Sequence, residues 1–215
     1  FNPTRQDVKP KNSGQSTANG SYVGDWLYGE KLANSMFQGD VGSFELIGEF
    51  GDDLLQGNNG DDILWGGFNT EIPTFDAFTY EDDGSDILQG GKGDDTLYGG
   101  TGNDILDGGG LIYDTENNGE VIDVIRDDGQ DSLTGGSGND IFVFNTLSTE
   151  KSIDIITDFE VLIDTIQIEE SFGASDHSQF SYNNNEGGLF FDSQQFATLE
   201  NLPDNFDVSR DIVLV

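Results

Sequence analysis

Residues Gly90 to Asp107 read GGKGDDTLY GGTGNDILD, a nine-residue unit written twice. Each unit has glycine at slots 1, 2 and 4, aspartate at slot 6 and an apolar residue at slot 8. Slots 1 to 6 predict a turn, and slots 7 to 9 predict a short strand. Glycine permits the positive φ angles and close backbone approach that a repeated sharp turn demands. Slot 8 is the inward position of an alternating strand. The slot 6 carboxylate and the turn carbonyls are hard oxygen donors, the ligand type that calcium prefers.

Further copies lie on both sides. Residues 20–28 keep Asp25 and Leu27. Residues 30–38 keep Phe37 but place Ser35 at slot 6, and residues 39–47 keep Leu46 but place Phe44 there. These read as repeats that lost a ligand and kept the strand, as terminal units of a solenoid often do. Clean copies follow at 48–56 and 57–65. Gly66-Gly67 opens a copy that closes only at Gly84 to Gln89, so residues 68 to about 82 read as an insertion in the turn. Gly108-Gly109 opens another, closed by Gly129 to Thr134, with a second insertion near 110–127. The last copy is 135–143.

Composition points the same way. There are 42 acidic against 8 basic residues, a net charge of −34, so no basic patch offers itself to nucleic acid. Apolar content is low at 34%, and 30 glycines are about twice the usual share. A single globular core is hard to build from this. A ligand that cancels charge and links turns solves both problems. There is no cysteine, so neither a disulfide nor a zinc thiolate site is available. No apolar run reaches the length of a membrane span, and no signal-peptide pattern is visible. A chain beginning at Phe1 reads as a fragment or a processed product. Residues 1–19 are polar, with Arg5, Lys9 and Lys11, and read as a linker or arm.

The tandem copies resemble the RTX calcium-binding nonapeptide repeat. The resemblance implies an all-β fold, a right-handed parallel β-roll (a β-helix-like solenoid) spanning 20–143, with two nonamers per coil. Alternate repeats would then stack on opposite sides. One side would stack Asp53, Asp86, Asp104 and Asp140, and the other Asp62, Asp95 and Asp131. A calcium ion between successive same-side turns would see two carboxylates and turn carbonyls. Those carbonyls would come from Gly57, Gly60, Gly66, Gly84, Gly90, Gly91, Gly93, Gly99, Gly100, Gly102, Gly108, Gly109, Gly129, Gly135, Gly136 and Gly138. About five ions are expected. The slot 8 residues Leu46, Leu55, Leu64, Leu88, Leu97, Leu106, Leu133 and Phe142 would form two facing ladders, with slots 7 and 9 facing outward. Trp65 and Tyr98, both at slot 9, should be stacked neighbours, either covered by an insertion or open to a partner.

Residues 144–215 have less glycine and more β-branched and aromatic residues, and read as a C-terminal β cap. Ser152 to Ile168 resembles the D-x-I-x-D-F…D-x-I-x-L segment that follows the repeats in RTX proteins such as serralysin-type proteases. The matching residues are Asp154, Ile156, Asp158, Phe159, Asp164, Ile166 and Ile168, which makes Asp158 and Asp164 secondary calcium candidates. Family members often have glycine between the two strands; here the turn is Glu160-Val161-Leu162-Ile163. Phe180 to Phe191 reads as a hairpin, and Gln195 to Leu199 as one more strand. The ending Arg210-Asp211-Ile212-Val213-Leu214-Val215 reads as a final edge strand and resembles a type I secretion signal.

The expected function is a secreted, calcium-binding module that folds after export by the type I secretion machinery, as part of a larger exoprotein. The alternative is a surface-layer or adhesin-type protein that holds a glycan or a cell-surface protein through its insertions or the Trp65/Tyr98 face. Catalysis is not expected. There is no H-E-x-x-H or G-x-S-x-G, and His177 stands alone in a polar stretch.

Overall fold

In a computed structural model, slots 7 to 9 of successive units are strands that alternate between two parallel stacks. The structure describes residues 7–8, 16–19, 26–28, 35–38, 45–48, 54–59, 62–66, 84–109, 111–114, 120–124, 129–147 and 152–215. The first sheet runs Asp7–Val8, Trp26–Tyr28, Glu45–Ile47, Ile63–Trp65, Thr96–Thr101, Ser132–Ser137, Asp154–Ile156 and Gln194–Leu199. It then turns antiparallel through Gly188–Phe191 and Phe180–Asn183. The second sheet runs Ser16–Asn19, Ser35–Gln38, Leu54–Asn59, Ile87–Lys92, Ile105–Asp107, Ile141–Phe144, Thr165–Ile168 and Ile212–Leu214, all parallel. Asp7–Val8 and Ser16–Asn19 fall within the stretch read as a linker or arm, and each begins one sheet.

Register follows the nine-residue pattern. Leu46, Leu64, Leu97, Leu133 and Ile156 are successive partners in one sheet. Leu55, Leu88, Leu106, Phe142 and Ile166 are successive partners in the other. All ten side chains are fully buried. Each contributes about 1.5–3 kcal/mol relative to exposure. The strand hydrogen bonds between coils leave no slack for a register slip, which would turn the whole leucine row outward.

Rung separation shows where the extra chain goes. Asp86 bonds to Asp104 across 18 residues, the length of two nonamers. Asp62 bonds to Asp95 across 33, which exceeds a coil by the fifteen residues of 68–82. Asp95 bonds to Asp131 across 36, which exceeds it by the eighteen residues of 110–127. The coil register continues across both excesses. Within 110–127, Leu111–Asp114 and Glu120–Val124 pair as a separate antiparallel hairpin that the sequence reading did not contain.

Slot 9, expected to face outward, is largely covered. Ile47, Gln89, Asp107 and Val143 are buried. Gln56 Nε2 donates to Gln89 Oε1, and Asn145 Nδ2 donates to Asp107 Oδ2, so polar groups along this row meet one another.

Past Phe144 the core changes from leucine to aromatic. Phe142 meets Phe159, and Phe172, Phe180, Phe191 and Phe196 pack mutually, mostly edge-to-face. The expected hairpin is present as Phe180–Asn183 and Gly188–Phe191, and the final strand Ile212–Leu214 pairs with Thr165–Ile168. Among the described residues no helix is long and apolar enough to cross a membrane.

Candidate metal centres

Two columns of aspartate run along the edges where the chain passes between sheets. On one edge Asp62 N donates to Asp95 Oδ1 at 2.7 Å, Asp95 N to Asp131 Oδ1 at 2.9 Å, and Asp131 N to Asp154 Oδ1 at 3.1 Å. On the other, Asp86 N donates to Asp104 Oδ1 at 2.8 Å, Asp104 N to Asp140 Oδ1 at 2.9 Å, and Asp140 N to Asp164 Oδ1 at 3.1 Å. For the described aspartates these are the two sides that the RTX resemblance, with two nonamers per coil, implies. Asp53 and Gly60 lie outside the described residues. Asp154, which the sequence reading left out of the ligand set, is the last rung of its column. The signal was there: it stands two residues before a buried slot 8 residue, Ile156, like every other rung.

The second carboxylate oxygen defines a repeated step. Asp62 Oδ2 lies against Gly57, with the Gly90 carbonyl beside it. Asp86 Oδ2 lies against Gly66 with the Gly99 carbonyl, Asp95 Oδ2 against Gly90 with the Gly108 carbonyl, and Asp104 Oδ2 against Gly99 with the Gly135 carbonyl. A Cβ on any of these four glycines would collide with both oxygens. Slot 1 is therefore glycine because two oxygens crowd its Cα. Slots 2 and 4 are glycine for a different reason. Gly91, Gly93, Gly100, Gly102, Gly136 and Gly138 all have φ between +98° and +143°, where other residues are strained. The Asp131 and Asp140 rungs differ: Gly108 and Gly135 meet Asp131 Oδ2 and Asp140 Oδ2 but, among the described residues, no equally close carbonyl of a following coil.

The electrostatics ask for a cation. Asp62, Asp86, Asp95, Asp104, Asp131 and Asp140 are each at most 1% exposed. Buried carboxylates are costly unless paired or metal-bound. Of the eight Lys and Arg, the structure describes Lys92, which is exposed, and Arg210, which is bound to Asp211 at 2.6 Å. Asp140 Oδ2 is buried and, among the described residues, accepts no hydrogen bond. Burial, with repulsion from Asp164, Asp158 and Glu160, pushes the Asp140 pKa up to about 6, against the lowering effect of the Asp104 N–H. Burial likewise raises Asp164, against N–H bonds from Glu160 and Asp140. Among the described residues no three His, Cys, Asp or Glu side chains converge as a metal cluster, so any ligand set must draw on the backbone. Carboxylate oxygen plus glycine carbonyl is the hard-oxygen set that suits calcium.

These features define a parallel β-roll whose turns are stacked oxygen sites. Residues 45–69, 82–110 and 127–146 match the RTX calcium-binding nonapeptide repeat, in four copies. Through them the chain carries a calcium-binding RTX module. No curated protein matches the chain.

Of the secondary candidates, Asp164 is a rung, and Asp158 lies elsewhere, with its carboxylate on the Gly135 and Gly136 amides. His177, which stands alone in a polar stretch of the sequence, is half-buried with Nε2 2.9 Å from the Ile212 carbonyl, against the last strand. Trp65 and Tyr98 stack with centroids 4.0 Å apart and planes 13° apart, and both are half-buried.

Proposed function

We propose that the chain is a non-catalytic module of a larger secreted protein, which folds when it meets calcium outside the cell. The observation that carries this reading is the repeated step: a buried Asp Oδ2 beside the slot 1 glycine carbonyl of the following coil. Four such steps stand among the described residues, held by Asp62 with Gly90, Asp86 with Gly99, Asp95 with Gly108 and Asp104 with Gly135. The step from Asp53 to Asp86 would be the fifth. Each calcium supplies two positive charges and a centre for hard oxygens.

The net charge of −34 favours an expanded chain when no metal is bound, because the acids repel and the core is only two side-chain rows thick. Metal binding energy then becomes folding energy. A chain that stays unfolded at low calcium suits export through the type I secretion machinery, and extracellular calcium of about 10⁻⁴–10⁻³ M suits sites of modest affinity. Circular dichroism of the full chain tests this. Coil-like spectra in chelator that become β-rich on adding calcium support it; equal β content in both conditions overturns it.

The stacked Trp65–Tyr98 pair favours a second reading, in which the roll also holds a glycan or a cell-surface protein on this face. Binding on a glycan array that disappears in a folded Trp65→Ala variant would support it. No binding by the calcium-loaded chain would count against it.

A further inference from the structure

Within the roll, turn amides at slots 1 and 2 donate to backbone carbonyls of the following coil. Gly66 N donates to the Tyr98 carbonyl and Gly91 N to the Gly108 carbonyl, each at 2.8 Å. After the copy 135–143, the next coil has no slot 1 glycine. Thr134 Oγ1 and Thr157 Oγ1 lie 2.8 Å apart across 23 residues, and at the same 23-residue spacing Asp158 faces Gly135. Its Oδ1 accepts from Gly135 N at 3.0 Å, and its Oδ2 accepts from Gly136 N at 2.8 Å.

The turn that follows is one residue longer, since Asp140 to Asp164 spans 24 residues. It closes on itself. Asp164 N donates to the Glu160 carbonyl, and Glu160 N donates to Asp164 Oδ2, both at 2.8 Å. The Phe159 carbonyl accepts from Asn201 Nδ2 at 2.8 Å. At Gly135, among the described residues, no carbonyl of that coil crowds the Cα as closely as the Gly135 carbonyl crowds Gly99.

We infer that Asp158 is not a calcium ligand but a positioning residue, the anion that stands where the next coil lacks its slot 1 glycine and holds the turn amides of Gly135 and Gly136 on the Asp140 edge. Both of its oxygens hold glycine amides, whereas in the rungs Asp95, Asp104, Asp131 and Asp140 an amide is held by Oδ1. By fixing Gly135 it holds in place the carbonyl that completes the Asp104 step. This inference rests on the reading that such steps bind calcium.

The test compares the full chain with its Asp158→Asn and Asp158→Ala variants. Native mass spectrometry at saturating calcium counts ions, and NMR hydrogen exchange follows the Gly135 and Gly136 amides. Both variants should hold the wild-type number of ions. Asp158→Ala should speed exchange of both amides at least tenfold and weaken the ion at the Asp104 step several-fold. Asp158→Asn, which keeps one acceptor oxygen, should rescue part of both effects and carries the count if the alanine variant does not fold. One ion fewer in Asp158→Asn, with amide protection unchanged, would overturn the inference. A wild-type chain holding no calcium would instead remove the reading beneath it.

Discussion

Trp65 stacks on Tyr98 across 33 residues of sequence, with ring centroids 4.0 Å apart, because both occupy slot 9 of adjacent strands in one sheet. Such a pair is worth about 0.5–1.5 kcal/mol beyond its buried area. A double-mutant cycle of Trp65→Ala and Tyr98→Ala, read by chemical denaturation in calcium, should give a coupling in that range. Zero coupling would mean that the two strands are not neighbours in solution.

Gly99→Ala should be far more damaging than a glycine change in open space. Its Cβ would collide with Asp104 Oδ2 and the Gly135 carbonyl, so both the packing and one calcium step suffer. Overpacking alone costs about 1–3 kcal/mol. Gly173→Ala is the control: φ is +91° there, but among the described residues nothing lies within 4 Å of the added Cβ. It should cost about 1–2 kcal/mol for the left-handed backbone and leave the ion count unchanged. Calcium titration by calorimetry separates the two.

Acid should favour the metal-free roll. The Asp140 pKa in the fold is about 6, above its ordinary value of 3.8, chiefly because of burial. The folded state therefore holds this proton more tightly than the unfolded chain does. The resulting stability is complete below about pH 4 and is lost as pH rises through about 6. Asp164 shifts in the same direction. In chelator, thermal melts should show more β structure at about pH 5 than at about pH 7.5. Calcium should add more stability at the higher pH, where it need not displace the proton. The opposite order would contradict the burial of Asp140.

Leu162 sits at φ +70° in an exposed turn, where the resembling segments often carry glycine. Left-handed backbone costs an L residue about 1–2 kcal/mol, and glycine returns about 0.5–1 kcal/mol of that as lost chain entropy. Leu162→Gly should raise stability by up to about 1 kcal/mol in calcium, seen as a higher Tm. A lower Tm would show that the leucine side chain makes a stabilising contact.

What was legible in the sequence follows from what strict periodicity can encode. The nine-residue spacing picks out the slot 6 aspartates, and with the two nonamers per coil that the RTX resemblance implies, Asp62–Asp95–Asp131 and Asp86–Asp104–Asp140 share an edge even across the insertions. It also places Trp65 on Tyr98. Periodicity cannot say why a given slot is glycine, because steric crowding at Gly99 and positive φ at Gly100 select the same residue. Nor does it reach past the last repeat. The aromatic packing around Phe172 and the capture of two amides by Asp158 depend on contacts of no fixed period. The hairpin at 111–124 was hidden for the same reason.

In the proposed function two separate aspartate columns hold the calcium. Asp95→Ala tests it most directly, with ions counted by native mass spectrometry and the Asp104 and Asp140 amides followed by NMR as calcium is added. Asp95 belongs to the steps with Asp62 and with Asp131, and its loss also leaves the Asp62 amide without its Oδ1 partner, at about 1–3 kcal/mol. Two ions fewer are expected, with unchanged calcium responses at Asp104 and Asp140, whose bond lies on the other edge. Loss of ions on both edges, or an unchanged count, would contradict it.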